Sequence, residues 1–246
     1  MKIVLNISYL GTNYAGFQVQ PNAITVQQRL QDAIERLYGY RCPLTGCSRT
    51  DSGVHAEMFI CTIDIECAPN SPPIEKVADA LNHYLPDDIS VKEAKVAPET
   101  FHPRYDVRSK EYRYVIWNAR EKNPFLSHRA LHWPAPLDEA AMNEAAAHFI
   151  GEHDFAAFCA AGSSVSSTVR HIYSASVTRE GDKVVFSVEG NGFLYNMVRI
   201  MVGTLISVSG GKIAPGDISA IIESKDRASA GFTVPPDGLY LHRVNY

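Results

Sequence analysis

Apolar and polar positions alternate through KIVLNISYLG (2–11), as in a strand that buries one face, and EMFICTIDIE (57–66) repeats the pattern with Phe59, Cys61, Ile63 and Ile65 on one side. Between them TVQQRLQDAIERLYG (25–39) changes period. Val26, Leu30, Ile34 and Leu37 fall at helical spacing, and Gly39 supplies a stop. A proline-started helix over 72–86 and a strand over 89–96 complete the first half. The stretch 97–109 has no clean period and carries two prolines, so it reads as a linker.

The second half predicts a strand over 110–118, a helix over 137–150 and a hairpin over 170–190 turning at Glu180-Gly181-Asp182. A long apolar helix follows over 193–211, ended by Gly210 and Gly211, then a short helix over 215–224 and a closing strand over 238–246. The pattern is α+β and resembles two tandem ferredoxin-like halves, 1–103 and 104–246, with antiparallel sheets side by side and a central cleft for a ligand. The halves share no sequence repeat.

Within the long helix one stripe breaks the apolar run: Gly192, Asn196, Arg199 and Gly203, opposite a core face of Leu194, Met197, Met201, Leu205 and Val208. A guanidinium there must reach water or find an acid, because burying it alone costs several kcal/mol. Gly203 clears space for another backbone to approach.

Asp51 in CSRTDSGVHA (47–56) is an acid on a polar stretch that suits neither a helix interior nor a central strand. A loop aspartate also serves as an Asx turn or a cap. As a partner for Arg199 it would stay ionised and oriented, and a lone carboxylate suits a nucleophile rather than a paired-acid glycosidase. Arg199 could equally bridge to Glu189. Tyr112 and Tyr114, two apart on a strand, face one side. They either pack across strands or stack on a flipped base. His55 could contact phosphate or satisfy backbone groups.

Composition changes the picture only in places. The chain has 246 residues and a net charge of −4, yet His102 to His132 collects Arg104, Arg108, Lys110, Arg113, Arg120, Lys122 and Arg129 among seven nearby aromatics. Such a stretch suits a phosphate backbone with unstacked bases. Five cysteines (42, 47, 61, 67 and 159) without a C-x-x-C pair indicate neither a disulfide framework nor a zinc ribbon, and Cys47 reads as packing under the polar loop. No apolar run suits a signal peptide or membrane span, so a cytoplasmic address is expected. His148, Glu152 and His153 in HFIGEHDF lack the H-E-x-x-H spacing, so no metal is expected. No glycine-rich phosphate loop calls for a nucleotide cofactor.

CSRTDSGVHA, SKEYRYVIWN, GEHDF, FLYNMVRIMVG and DRASAGFTVPPDGLYLHRV, in that order, resemble the motif blocks of the TruA-type tRNA pseudouridine synthases. SYLGTNYAGFQVQ with TVQQRL resembles that family's N-terminal block, and LNHYLPDDISV and FHPRYDVRSK the blocks between. The resemblance implies a cofactor-free isomerase converting uridine to pseudouridine in the tRNA anticodon stem-loop, built as a homodimer. It puts the nucleophile at Asp51, its basic partner at Arg199 and the ring stacked on uracil at Tyr112. The arginine that helps displace the flipped base falls on Arg49. Ser48 and Ser52 stand where the family often has Gly and Ala, and Tyr195-Asn196 where a histidine-rich pair is common. Attack at C1′, attack at C6 and proton abstraction at C2′ all stay open to Asp51. The competing readings are a non-catalytic RNA-binding module and an aspartate-based nucleoside hydrolase.

Overall fold

In the computed structural model, which describes residues 1–66, 71–162 and 165–246, the alternating run becomes β1 (Lys2–Tyr9), buried at Ile3, Leu5, Ile7 and Tyr9. The helical run becomes α1 (Val26–Tyr38). Its Thr25 side chain accepts from the Gln28 N–H at 3.3 Å, and Gly39 ends it at φ 81°, a left-handed conformation that glycine adopts without strain. Short β2 (Leu44–Gly46) leads to β3 (His55–Asp64), then α2 (Ile74–Asn82) and β4 (Ile89–Ala97). The 57–66 run reads as half-buried, but β3 is buried from Phe59 through Ile63 on both sides of the pleat.

The chain divides into two compact units, 1–108 with 241–246, and 109–240. The sequence-based boundary at 103/104 therefore moves to 108/109, and the last six residues return to the first unit. In that unit β1 lies between β4 and β3, with β2 on β3, all antiparallel. The stretch 98–108 is irregular but pinned: Lys2 Nζ donates to the Glu99 and Phe101 carbonyls at 2.8 and 3.2 Å, and the Tyr246 hydroxyl to Pro103 at 2.7 Å.

The second unit contains β5 (Ser109–Trp117), β6 (Leu131–His132), α3 (Glu139–Ala147), β7 (Gly151–Asp154), β8 (Val169–Glu180), β9 (Lys183–Gly190), α4 (Met197–Ser209) and α5 (Asp217–Ser224). The closing strand, β10 (Leu239–Asn245), begins in this unit and ends in the first. Its sheet runs β5–β9–β8–β7 antiparallel, with β6 parallel to β5. The predicted hairpin forms with Glu180 opposite Lys183 and Gly181 at φ 57° in the two-residue turn. The long helix is shorter than its apolar run. It begins at Met197, with Asn196 left-handed at its N-cap, so Gly192 and Asn196 of the predicted stripe precede the helix.

Mixed α and β architecture is thus what the chain adopts. Among the described residues no helix is long and apolar enough to cross a membrane.

Candidate active site

Asp51 sits at the first position of a tight turn in the first unit. The Val54 N–H donates to its carbonyl at 3.2 Å, and Gly53 at φ 81° takes the third position, where such turns need a positive φ. The glycine is therefore demanded by the turn, and Asp51 is left half-buried beside exposed Ser52.

The arc between β1 and α1 holds this turn. Tyr9 Oη and Thr50 Oγ1 are hydrogen-bonded at 2.8 Å, and the Phe17 N–H donates to the Thr50 carbonyl at 3.3 Å. The Gly53 N–H and Ser52 hydroxyl both donate to the Tyr14 carbonyl, at 3.2 and 3.3 Å. The Gly11 N–H donates to His55 Nδ1 at 2.8 Å. A Cβ at Gly11 would lie 2.0 Å from the Val54 carbonyl oxygen, and one at Gly16 2.5 Å from that of Thr50, so backbone meets backbone. The Tyr14 hydroxyl donates to Asp88, and burial followed by that bond pushes the phenol well above its usual range.

His55 is fully buried. Its Nδ1 is taken up by the Gly11 N–H, a backbone-satisfying contact of the kind the sequence also allowed. Arg49 is exposed on the same loop, and Cys47 is wholly buried beneath it. Cys67 lies outside the described residues.

In the second unit Tyr112 and Tyr114 do share a face of β5, both buried. Tyr112 packs edge-on against Phe193, ring centres 5.1 Å apart. The Tyr114 hydroxyl donates to the Pro235 carbonyl at 2.7 Å. Burial raises its pKa far above the usual value, while the nearby Arg199 charge pulls the other way.

Arg199 points its Nε at the Val234 carbonyl and its Nη1 at the Asn196 amide oxygen, both 2.7 Å away. Both acceptors are neutral. Glu189 instead accepts from the Ser109 hydroxyl at 2.5 Å. Asn196 occupies its left-handed position at φ 59°, tolerated best by glycine and asparagine, and so presents its amide to Arg199 one turn on. The backbone for which Gly203 clears space is that of Phe232.

His148 Nδ1 is hydrogen-bonded with Ser219 and His153 Nε2 with the Ile150 carbonyl. Among the described residues no cluster of three or more histidine, cysteine or acidic side chains is arranged to hold a metal ion. Sequence reading assigned no role to Tyr9, Gly11, Tyr14 or Val234. The available signal was two glycines and two tyrosines packed into residues 9–17.

A family profile described as tRNA pseudouridine synthase matches residues 6–106 and 145–246. A tRNA pseudouridine synthase A of Ruminiclostridium cellulolyticum is 46% identical over 246 residues, covering 100% of this chain and 99% of its own. Proteins of the same name are 44% identical over 244 residues in Thermoanaerobacter sp. (99% of each chain) and 45% over 246 in Anoxybacillus flavithermus (100% and 98%). The crystal structure of a Cbf5-Nop10-Gar1 complex aligns at TM-score 0.36 and 12% identity, over 97% of this chain and 57% of that one, too distant to carry an argument. With the profile on both units and relatives aligned over nearly their whole lengths, this chain belongs to the tRNA pseudouridine synthase family.

Proposed function

We propose that this enzyme, a tRNA-uridine isomerase by family, acts on the anticodon stem-loop with Asp51 as nucleophile and no cofactor. The uracil leaves C1′ at N1 and rejoins it at C5. The C5 proton passes to water and N1 ends protonated, so the reaction is redox-neutral and needs no second substrate. One observation carries the assignment of Asp51: every neighbour from Thr50 to His55 is tied down by hydrogen bonds or backbone contact, which aims one carboxylate from a rigid turn.

Arg199 supplies the opposite charge that keeps Asp51 ionised. The support is that its two bonds within its own unit go to neutral oxygens, which leaves its charge to be matched by an acid. Tyr112 offers its ring to the flipped uracil, and Arg49, exposed beside the nucleophile, fills the place the base leaves. Flipping costs a few kcal/mol of stacking, which those contacts offset in part. The strand–helix–strand–strand–helix–strand order of the first unit, with β4–β1–β3–β2 across its sheet, suits a ferredoxin-like half. A homodimer working in the cytoplasm completes the reading.

The test uses tRNA carrying uridine tritiated at C5. Native enzyme releases tritium to water, while Asp51→Asn binds tRNA and releases none. Full release by that variant removes the nucleophile assignment. Free uracil among the products of the native enzyme would make it a hydrolase, and intact RNA with no release a binding module. Light scattering after size exclusion reads the dimer.

A further inference from the structure

The turn that carries Asp51 is attached by a buried side chain at each end. Tyr9 Oη meets Thr50 Oγ1 immediately before the aspartate, with both residues buried. His55 closes the other end four residues on, accepting the Gly11 N–H at Nδ1. Because that N–H is the donor, Nδ1 carries no proton, and the ring is held as the neutral Nε2–H tautomer. Each partner belongs to the arc 9–17, whose backbone also binds the turn at Tyr14 and Phe17. Apart from the Ser52 hydroxyl bond to the Tyr14 carbonyl, the other contacts between arc and turn are backbone contacts that no substitution can delete singly, so these two buried side chains are where the ends of the turn can be released.

We infer that Tyr9 and His55 are positioning residues that latch the Asp51 turn onto the 9–17 arc and act on the reaction only through the placement of that carboxylate. The inference rests on Asp51 as nucleophile. A buried histidine at the end of a catalytic loop could equally be a packing residue, and the two roles separate by which atom matters. Packing needs a ring, whereas a latch needs an acceptor at the Nδ1 position. Asparagine places its amide oxygen there with no ring, and alanine places nothing.

The experiment compares Tyr9→Phe, His55→Ala and His55→Asn with Asp51→Asn as control, in single turnover on an unmodified tRNA transcript. tRNA affinity and Tm are measured for each. A displaced reacting group loses rate steeply, so His55→Ala is expected to lose at least about tenfold in the saturated rate with tRNA affinity within about twofold. His55→Asn recovers most of that loss, and Tyr9→Phe, which removes one oxygen, slows the reaction severalfold. A native rate in both Tyr9→Phe and His55→Ala overturns the inference, as does His55→Asn no faster than His55→Ala. Lost tRNA affinity with an unchanged saturated rate would put His55 on the RNA and overturn it too. Should His55→Ala not fold, Tyr9→Phe at the native rate decides against the latch. An active Asp51→Asn would defeat the nucleophile reading instead, a result distinct from all of these.

Discussion

A side-chain carbon at Gly203 would lie 1.8 Å from the carbonyl oxygen of Phe232. Helix α4 and the segment 231–234 therefore touch backbone to backbone. The Gly231 N–H donates to Thr204 Oγ1 at 2.9 Å, and Val234 presents its carbonyl to Arg199. This contact sets where the guanidinium points.

Gly203→Ala must push the two backbones apart. The expected cost is about 2 to 3 kcal/mol, the upper part of the overpacking range, seen as a Tm lower by roughly 4 to 12 °C for a chain of this size. Thermal melting of the variant checks it, and a native Tm would contradict the contact.

Asn196 answers to two demands, a left-handed backbone and an acceptor for Arg199. Asn196→Gly keeps the first and loses the second, so it melts near the native temperature but reacts more slowly. Asn196→Ala loses both and is less stable than the glycine variant by about 1 to 2 kcal/mol. Parallel melting and single-turnover assays separate the two effects.

Tyr114→Phe removes the donor to the Pro235 carbonyl inside the second unit. A loss of about 1 kcal/mol is expected, with the abandoned carbonyl adding to it where water cannot reach. Denaturant unfolding with an unchanged slope reads this directly.

Asp154 titrates below its ordinary 3.8, first because the Thr168 hydroxyl donates to it and next because Lys225 pairs with it at 2.9 Å. A carboxylate with a lowered folded pKa stabilises fully above the unfolded value. That stabilisation is lost as pH falls through the folded one. Asp154→Asn is therefore less stable than the native chain near neutral pH, and the gap narrows below pH 3.8. Urea midpoints across the acid range test this. A gap that widens in acid would contradict the sign.

Much of the fold was legible because periodicity reports burial. β1, α1, the 180–183 hairpin turn and α5 lie where period and turn residues put them. Strands β2, β6 and β7 were not, since two to four residues carry no period to read. The start of α4 was misplaced because Phe193, Leu194 and Tyr195 extend the apolar run upstream while the backbone turns left-handed at Asn196.

By itself the sequence determined the longer elements, the polar loop around Asp51, the arginine set in an apolar helix and the family, all properties of local pattern and motif. Only the tertiary structure decided what holds those residues. It buried His55 against Gly11, tied Thr50 to Tyr9 and gave Arg199 a neutral acceptor at Val234. The reason is physical: a hydrogen bond between residues tens of positions apart depends on how the chain returns, and no local spacing encodes the atom it returns to.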